Sequence, residues 1–302
     1  MIGSAVVYFV VCTSGESTGA QSESSEQASN SFGYQYQRGS RKENVPYGFA
    51  DGGELHLDIY QAGARNGGRA PAVILIHGGG WISLDKGTMR GMGQLLARAG
   101  FVAFSVDYRL FGAGKNAWPA QLDDVQRATR WVRADADTYG VDPNRVGAFG
   151  HSAGAQLVAL LGMEDTRNNS DPALVKFSSR VQAVVDVSGP VDFTLDRDQD
   201  GDQFLTGFLG APYDKNPELR RQASPVFHVA KGNAPFLVVY GTQDENVPIA
   251  QAEELVKKLE AAGVPVSFVK VDDEHTFRRP EARRTLARET VAFFQRYLSA
   301  KP

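Results

Sequence analysis

Short, largely apolar stretches recur along the chain at residues 72–76, 101–106, 181–187, 236–240 and 266–271, with a further run climbing from Val146 to Phe149. Runs of this length, bounded by glycine, proline and polar turns, predict strands, those at 72–76, 101–106 and 181–187 buried within a parallel sheet. Ahead of them, Leu55, Leu57 and Ile59 alternate with polar residues after Asp51-Gly52-Gly53, which predicts a half-exposed strand leaving a turn. Between the runs the period changes. Leu122, Val125, Thr129, Val132, Ala136 and Tyr139 recur at spacings of three and four after Trp118-Pro119-Ala120, a buried helical stripe closed by Gly140. Residues 155–161 are helix-forming; Ala252, Leu255, Leu259 and Ala262 mark another helix stopped by Gly263; Leu286, Thr290, Phe293, Phe294 and Tyr297 mark a last one. Asp142-Pro143-Asn144 reads as a turn. Strands alternating with helices, without an internal repeat, predict a single α/β sheet, mostly parallel, with helices on both faces.

Between Phe193 and Pro235 the pattern offers no strand for roughly forty residues, too long for a plain connection. A small helical insertion fits this stretch. Phe204, Phe208, Leu209 and Phe227 could line a pocket beneath it or form a satellite core. Its Asp196, Asp198, Asp200 and Asp202 with Gly201 imitate the first half of a calcium loop, but Gly207 stands where a bidentate glutamate belongs. A solvated acidic loop is the better reading, and no metal is expected.

Composition narrows the partners. A chain of 302 residues with 42% apolar and 22% charged residues can bury a sizeable core, and its net charge of −3 gives no reason to expect nucleic acid. Cys12 is the only cysteine, so no disulfide can form within the chain. No run reaches the ~18 apolar residues of a membrane-spanning helix. Residues 1–33 stand apart: an apolar leader, 2–12, precedes a Ser/Glu/Gln/Gly tract, and the globular pattern occupies 34–302. The leader resembles the end of a secretory signal without its charged start, so a secreted or cell-envelope location is expected, with a cytoplasmic one as alternative.

Candidate chemistry sits at the ends of the apolar runs. Gly150-His151-Ser152-Ala153-Gly154 places a serine between small residues where a strand gives way to a helix, the form of a nucleophile elbow. His77-Gly78-Gly79-Gly80-Trp81 follows the 72–76 run, and glycines there leave backbone N–H groups free to turn toward a ligand. With the N–H of Ala153, those of Gly79 and Gly80 could hold an oxyanion. His77 reads as a brace for that loop, and Asp107, Asp123 and Asp124 as bracing or solvated carboxylates. A serine nucleophile needs a base and an orienting acid. Only His228 and His275 follow Ser152, and His275 has the strand-end context. Asp244 ends the preceding strand and is the favoured acid; Asp192 is its rival, while Asp272, Asp273 and Glu274 lie too close to His275 in sequence and should face solvent. Trp81 and Phe208 are the candidate substrate contacts.

Together with Asp107-Tyr108-Arg109-Leu110, Trp118-Pro119-Ala120 and the stretch from Asp244 to Pro248, these motifs resemble an α/β-hydrolase esterase from about residue 45 onward. The resemblance is to the hormone-sensitive-lipase-like and bifunctional feruloyl/acetyl esterase groups. His151 and Ser188-Gly189-Pro190-Val191-Asp192 favour the second. It implies the α/β-hydrolase fold and hydrolysis of short-chain or carbohydrate-linked acetyl or feruloyl esters, with no cofactor. The large N-terminal helical cap of the lipase-like group is missing. Amide cleavage by the same machinery, as in kynurenine-formamidase-like and prolyl-oligopeptidase-like relatives, is the alternative; a purely binding role would need a missing site residue.

Overall fold

The computed structural model describes residues 40–62, 68–163, 165, 171–195, 199–212 and 215–299, and for 199–202 the backbone alone. The expectations for the leader and linker of residues 1–33, and for Asp196 and Asp198, fall outside the described residues.

Eight strands form one sheet in the order β1-β2-β4-β3-β5-β6-β7-β8. β1 (Ser40–Ala50) and β2 (Gly53–Gln61) make an antiparallel hairpin on one edge, and β2 runs antiparallel to β4 (Val102–Val106). From β4 the pairing is parallel through β3 (Ala70–Ile76), β5 (Val141–His151), β6 (Ala183–Val187), β7 (Phe236–Gly241) and β8 (Val266–Val271). The expected mostly parallel sheet is there. β1, with few apolar residues and a largely exposed edge, carried no periodic signal and was not foreseen.

Why the apolar runs are continuous is visible in β3. Val73 and Leu75 join a core on one face with α1 (Arg90–Arg98) and α7 (Pro280–Leu298), while Ala72, Ile74 and Ile76 join the other with α2 (Ala120–Ala134), α3 (Ala153–Met163) and α6 (Ile249–Ala261). A strand covered on both faces favours apolar side chains at every position. Each fully buried Leu, Ile or Val contributes ~1.5–3 kcal/mol relative to exposure.

Three sequence readings need correction. β2 is not half-exposed: Asp58 and Tyr60, on the supposed solvent side, are buried, Asp58 by its ion pair with Arg41 and Tyr60 against Gly93 of α1. The 122–139 stripe is helical only to Ala134; Ala136 and Tyr139 are buried by the turns that follow. Asp142-Pro143-Asn144 makes its turn inside β5, where Asp142 accepts from Asn144 N and the register with β3 shifts.

The stretch after Phe193 is helical, with α4 (Gln199–Leu209), α5 (Pro217–Ala223) and a short 3-10 turn at Pro225–Phe227. Asp200 and Asp202 therefore start a helix instead of belonging to an acidic loop. Among the described residues no cluster of three or more His, Cys, Asp or Glu could hold a metal ion.

Candidate active site

β5 delivers Ser152 at the turn into α3, and the turn has to be sharp: Ser152 sits at φ 54. The small neighbours follow from that geometry. A Cβ on Gly150 would lie 2.7 Å from Ala155 N, and one on Gly154 would strike the carbonyls of Ile76 and His77 on the adjacent strand end. Ser152 N donates to Val187 O of β6 (2.8 Å), so the neighbouring strand holds the left-handed residue in place.

The two partners arrive from strands further along the sheet. His275, in the loop after β8, places Nε2 2.8 Å from Ser152 Oγ, and its Nδ1 lies 2.7 Å from Asp244 Oδ2, just beyond β7. Since a carboxylate can only accept, Nδ1 carries the proton, leaving Nε2 as a lone pair facing the serine hydroxyl. Burial would push the Asp244 carboxyl up. The hydrogen bonds from His275 and Val247 N outweigh it, and with the nearby imidazole and the Ser188 hydroxyl they hold the group below the usual carboxylate range. Asn246 N and Val247 N both donate to Oδ1, at 3.0 and 2.9 Å. Such an array can draw the Ser152 proton onto His275 while the carboxylate fixes ring orientation.

Asp192 lies elsewhere. Its Oδ1 accepts from Thr194 N and Oγ1, and its backbone N is held by Gln251, so it braces the loop after β6. His228 contacts Gln222 O in the insertion. Asp272 is exposed as expected, but Asp273 is buried, correcting the solvent-facing expectation: it accepts from Glu274 N and Arg279 N and shapes the loop that carries His275.

The glycine loop after β3 folds back beside the elbow. Gly79 takes φ 100, and its carbonyl accepts from Ile82 N, Ser83 N and Ser83 Oγ. A Cβ on Gly78 would lie 3.2 Å from Ser152 Cβ, which shows how closely the loop approaches the nucleophile turn. Among the described residues the N–H groups of Gly79, Gly80 and Ala153 donate to no protein acceptor, which leaves them available to an oxygen atom bound here. His77 is the brace expected of it: buried, stacked on Tyr108 at 4.3 Å and bonded through Nδ1 to Gly78 O, with burial lowering its pKa. Tyr108 OH donates to His77 O and Gly78 O. Asp107 takes up Lys86, and Asp124 grips Arg109 through both carboxylate oxygens.

Trp81 meets two rings of the insertion, four residues apart on α4. Phe208 stacks on it at 4.4 Å and is fully buried, so it supports Trp81 from behind; Phe204, at 6.3 Å and 37% exposed, is the ring that meets solvent. Leu209 is buried too, and Phe227 packs under Arg221 and Lys258. Sequence reasoning missed Gln156, whose Oε1 accepts from Trp81 Nε1 (3.1 Å) while Nε2 donates to Ala223 O (2.8 Å), tying the indole to the insertion. A polar residue in an otherwise apolar helix was the available signal.

Known proteins resemble the chain in sequence and fold. The BD-FAE family profile matches residues 57–259. Esterase LipC of Mycobacterium tuberculosis is 33% identical over 212 residues, covering 68% of this chain and 52% of LipC. Esterase LipQ of the same organism is 32% identical over 238 residues, 77% of this chain and 56% of LipQ; the chain spans about half the length of the curated relatives it matches. Among solved structures, esterase Est2 of Thermogutta terrifontis superposes with a TM-score of 0.74 at 26% identity, over 86% of this chain and 94% of Est2. Its form phosphonylated by sarin gives 0.76 at 26% identity, over 86% and 96%. A truncated carbohydrate esterase from gut microbiota gives 0.73 at 26% identity, over 86% and 97%. With its sheet order, its strand-end site and a family match over more than half its length, the chain belongs to the BD-FAE family and has the α/β-hydrolase fold.

Proposed function

We propose that this chain is a serine carboxylesterase in which Ser152 is the nucleophile, His275 the general base and acid, and Asp244 the orienting carboxylate. The observation that carries the reading is the unbroken relay from Ser152 Oγ to His275 Nε2 (2.8 Å) and from His275 Nδ1 to Asp244 Oδ2 (2.7 Å). Ser152 Oγ attacks the ester carbonyl as its proton passes to His275 Nε2. The N–H groups of Gly79, Gly80 and Ala153 receive the resulting oxyanion. The tetrahedral intermediate collapses by breaking the bond to the alcohol, which leaves with the proton from Nε2. Water then enters, gives a proton to the same nitrogen and releases the acid, returning the proton to Ser152.

For the substrate we propose short-chain esters, including acetyl or feruloyl groups carried on carbohydrate. Two things support this: the likeness to a protein described as a carbohydrate esterase, and the modest size of the insertion above the site. The test is a panel of p-nitrophenyl esters from acetate to palmitate beside methyl ferulate, acetylated xylan, a formamide and a peptide. Turnover should be greatest on the short esters and vanish in Ser152→Ala. Ser152→Ala with full activity overturns the mechanism, and faster cleavage of formamide or peptide than of any ester moves the chain to the amidase reading.

A further inference from the structure

The residue ahead of the nucleophile, His151, is not used by the relay just described, yet it lies against both the loop that carries His275 and the glycine loop. Its Nε2 lies 2.9 Å from the backbone carbonyl of His275, and its ring centroid is 5.0 Å from the His275 ring. Phe277, held at φ 52, packs edge-on against it at 6.4 Å. On its other side Nδ1 lies 3.3 Å from where a Cβ on Gly78 would be, against the oxyanion loop. A carbonyl oxygen only accepts, so His151 carries its proton on Nε2 and turns an unprotonated Nδ1 toward Gly78. Among the described residues no other group donates to the His275 carbonyl.

The loop bearing His275 is otherwise held away from the His275 carbonyl. Gln243 N donates to Asp273 O at the end of β7, Asp273 accepts from Glu274 N and Arg279 N within the loop, Phe277 N donates to Glu274 O, and Arg283 Nε of α7 donates to Phe277 O. Besides the two bonds of its own ring, His275 is met from the elbow by His151.

We infer that His151 is a positioning residue: a neutral imidazole, rooted in the elbow, that pins the His275 backbone so that Nε2 stays over Ser152 and Nδ1 stays on Asp244. The inference rests on the reading of those three residues as the reacting groups. The groups facing His151 suit an uncharged ring. Burial first, and then the adjacent His275, lower its pKa to about 4, against the opposing pull of the hydrogen bond to the His275 carbonyl and of Asp244. His151 therefore remains neutral while His275 takes up and returns its proton, and no second cation opposes that charge.

His151→Leu fills much of the ring's space without a donor, whereas the amide of His151→Gln can donate from nearly the position of Nε2 and cannot be protonated. With p-nitrophenyl acetate, and with competent sites counted by stoichiometric reaction with paraoxon, kcat per competent site should fall about tenfold in His151→Leu, the worth of one buried hydrogen bond, at nearly unchanged KM. His151→Gln should restore kcat. Equal behaviour of the two variants, or wild-type kinetics in His151→Leu, overturns the inference. Should the wild type hydrolyse no ester, the esterase reading fails. Imidazole nitrogen NMR then decides the positioning role separately: an Nε2–H on His151, and a displaced His275 Nδ1–H resonance in His151→Leu that His151→Gln restores, support it, and their absence overturns it.

Discussion

Asp186 should make the folded protein less stable as pH rises through the weakly acidic range, and Asp186→Asn should remove that slope. The side chain lies in β6 between β5 and β7, fully buried, with Oδ1 accepting from Gly189 N at 3.0 Å and Oδ2 without a partner. Burial pushes its pKa up from 3.8 to about 7, against the single Gly189 hydrogen bond. Between those values the folded chain holds a proton that the unfolded chain has released. The folded state then binds more protons, and by linkage stability falls as pH increases. Stability is complete below the unfolded value of 3.8 and has been lost by the time pH passes about 7. The difference of about 3 pH units corresponds to about 4 kcal/mol at 1.36 kcal/mol per unit. Against a usual total of ~5–15 kcal/mol this is a large share.

Asparagine keeps an oxygen for Gly189 N but leaves an amide donor unpaired, which costs about 1–3 kcal/mol at every pH. Asp186→Asn should therefore be less stable than wild type at pH 4 and more stable at pH 8. Urea melts of both proteins across that interval measure the difference directly. Other titrations common to both cancel in it, among them that of His151. That ring has the opposite sign: with its folded value lowered from 6.5 to about 4, its neutral form's stability is present above 6.5 and is lost as pH falls through that window. A difference constant to within about 0.5 kcal/mol from pH 4 to 8 would refute the reasoning, since the buried carboxyl would then ionise as freely folded as unfolded.

Asp244→Asn should lower kcat by about 10²–10⁴-fold while leaving KM and the thermal midpoint close to wild type, because the amide cannot hold His275 in the tautomer the serine needs; steady-state kinetics beside a melting curve check it, and a loss below tenfold would return the acid role to Asp192. Phe204→Ala removes the exposed ring beside Gly80 and Trp81. It should reduce kcat/KM for 2-naphthyl acetate about tenfold more than for methyl acetate, the size of one aromatic contact; an unchanged ratio places the substrate's apolar part elsewhere.

The buried strands were legible because covering both faces of a sheet forces unbroken apolar runs, as at 72–76. The site was legible because each of its parts follows a strand read from the apolar pattern: the glycines after β3, Ser152 after β5, Asp244 after β7 and His275 after the edge strand β8. Where covalent or steric necessity governs, as at Gly150 and Gly154, the sequence has almost no choice. What it did not reveal depends on partners distant in the chain. β1 is strand because β2 pairs with it, not because of its own pattern. Asp273 looks solvent-facing until Arg279 N and Glu274 N are brought onto its carboxylate. Phe208 and Phe204 are four residues apart on one helix and both stack on Trp81, yet the first is core and the second surface, since Phe111 and Trp118 also close on Phe208.

The strand order explains why the reacting groups sit where they do. β6 separates β5 from β7, so Ser152 and Asp244 are not on neighbouring strands, and the loop after β8 must reach back over β7 to bring His275 between them. At the end of β6 Ser188 takes a left-handed φ of 54, matching Ser152 at φ 54 beyond β5, and its N is anchored to Val239 O. Two non-glycine residues in that region each cost about 1–3 kcal/mol, and a buried carboxyl two residues earlier adds to the burden. These liabilities cluster within one patch of the sheet and are sustained by the two apolar layers on either side. A fold selected for stability alone would have no reason to gather them there; the proposed relay, which must hold a hydroxyl, an imidazole and a row of free amides in register, supplies one.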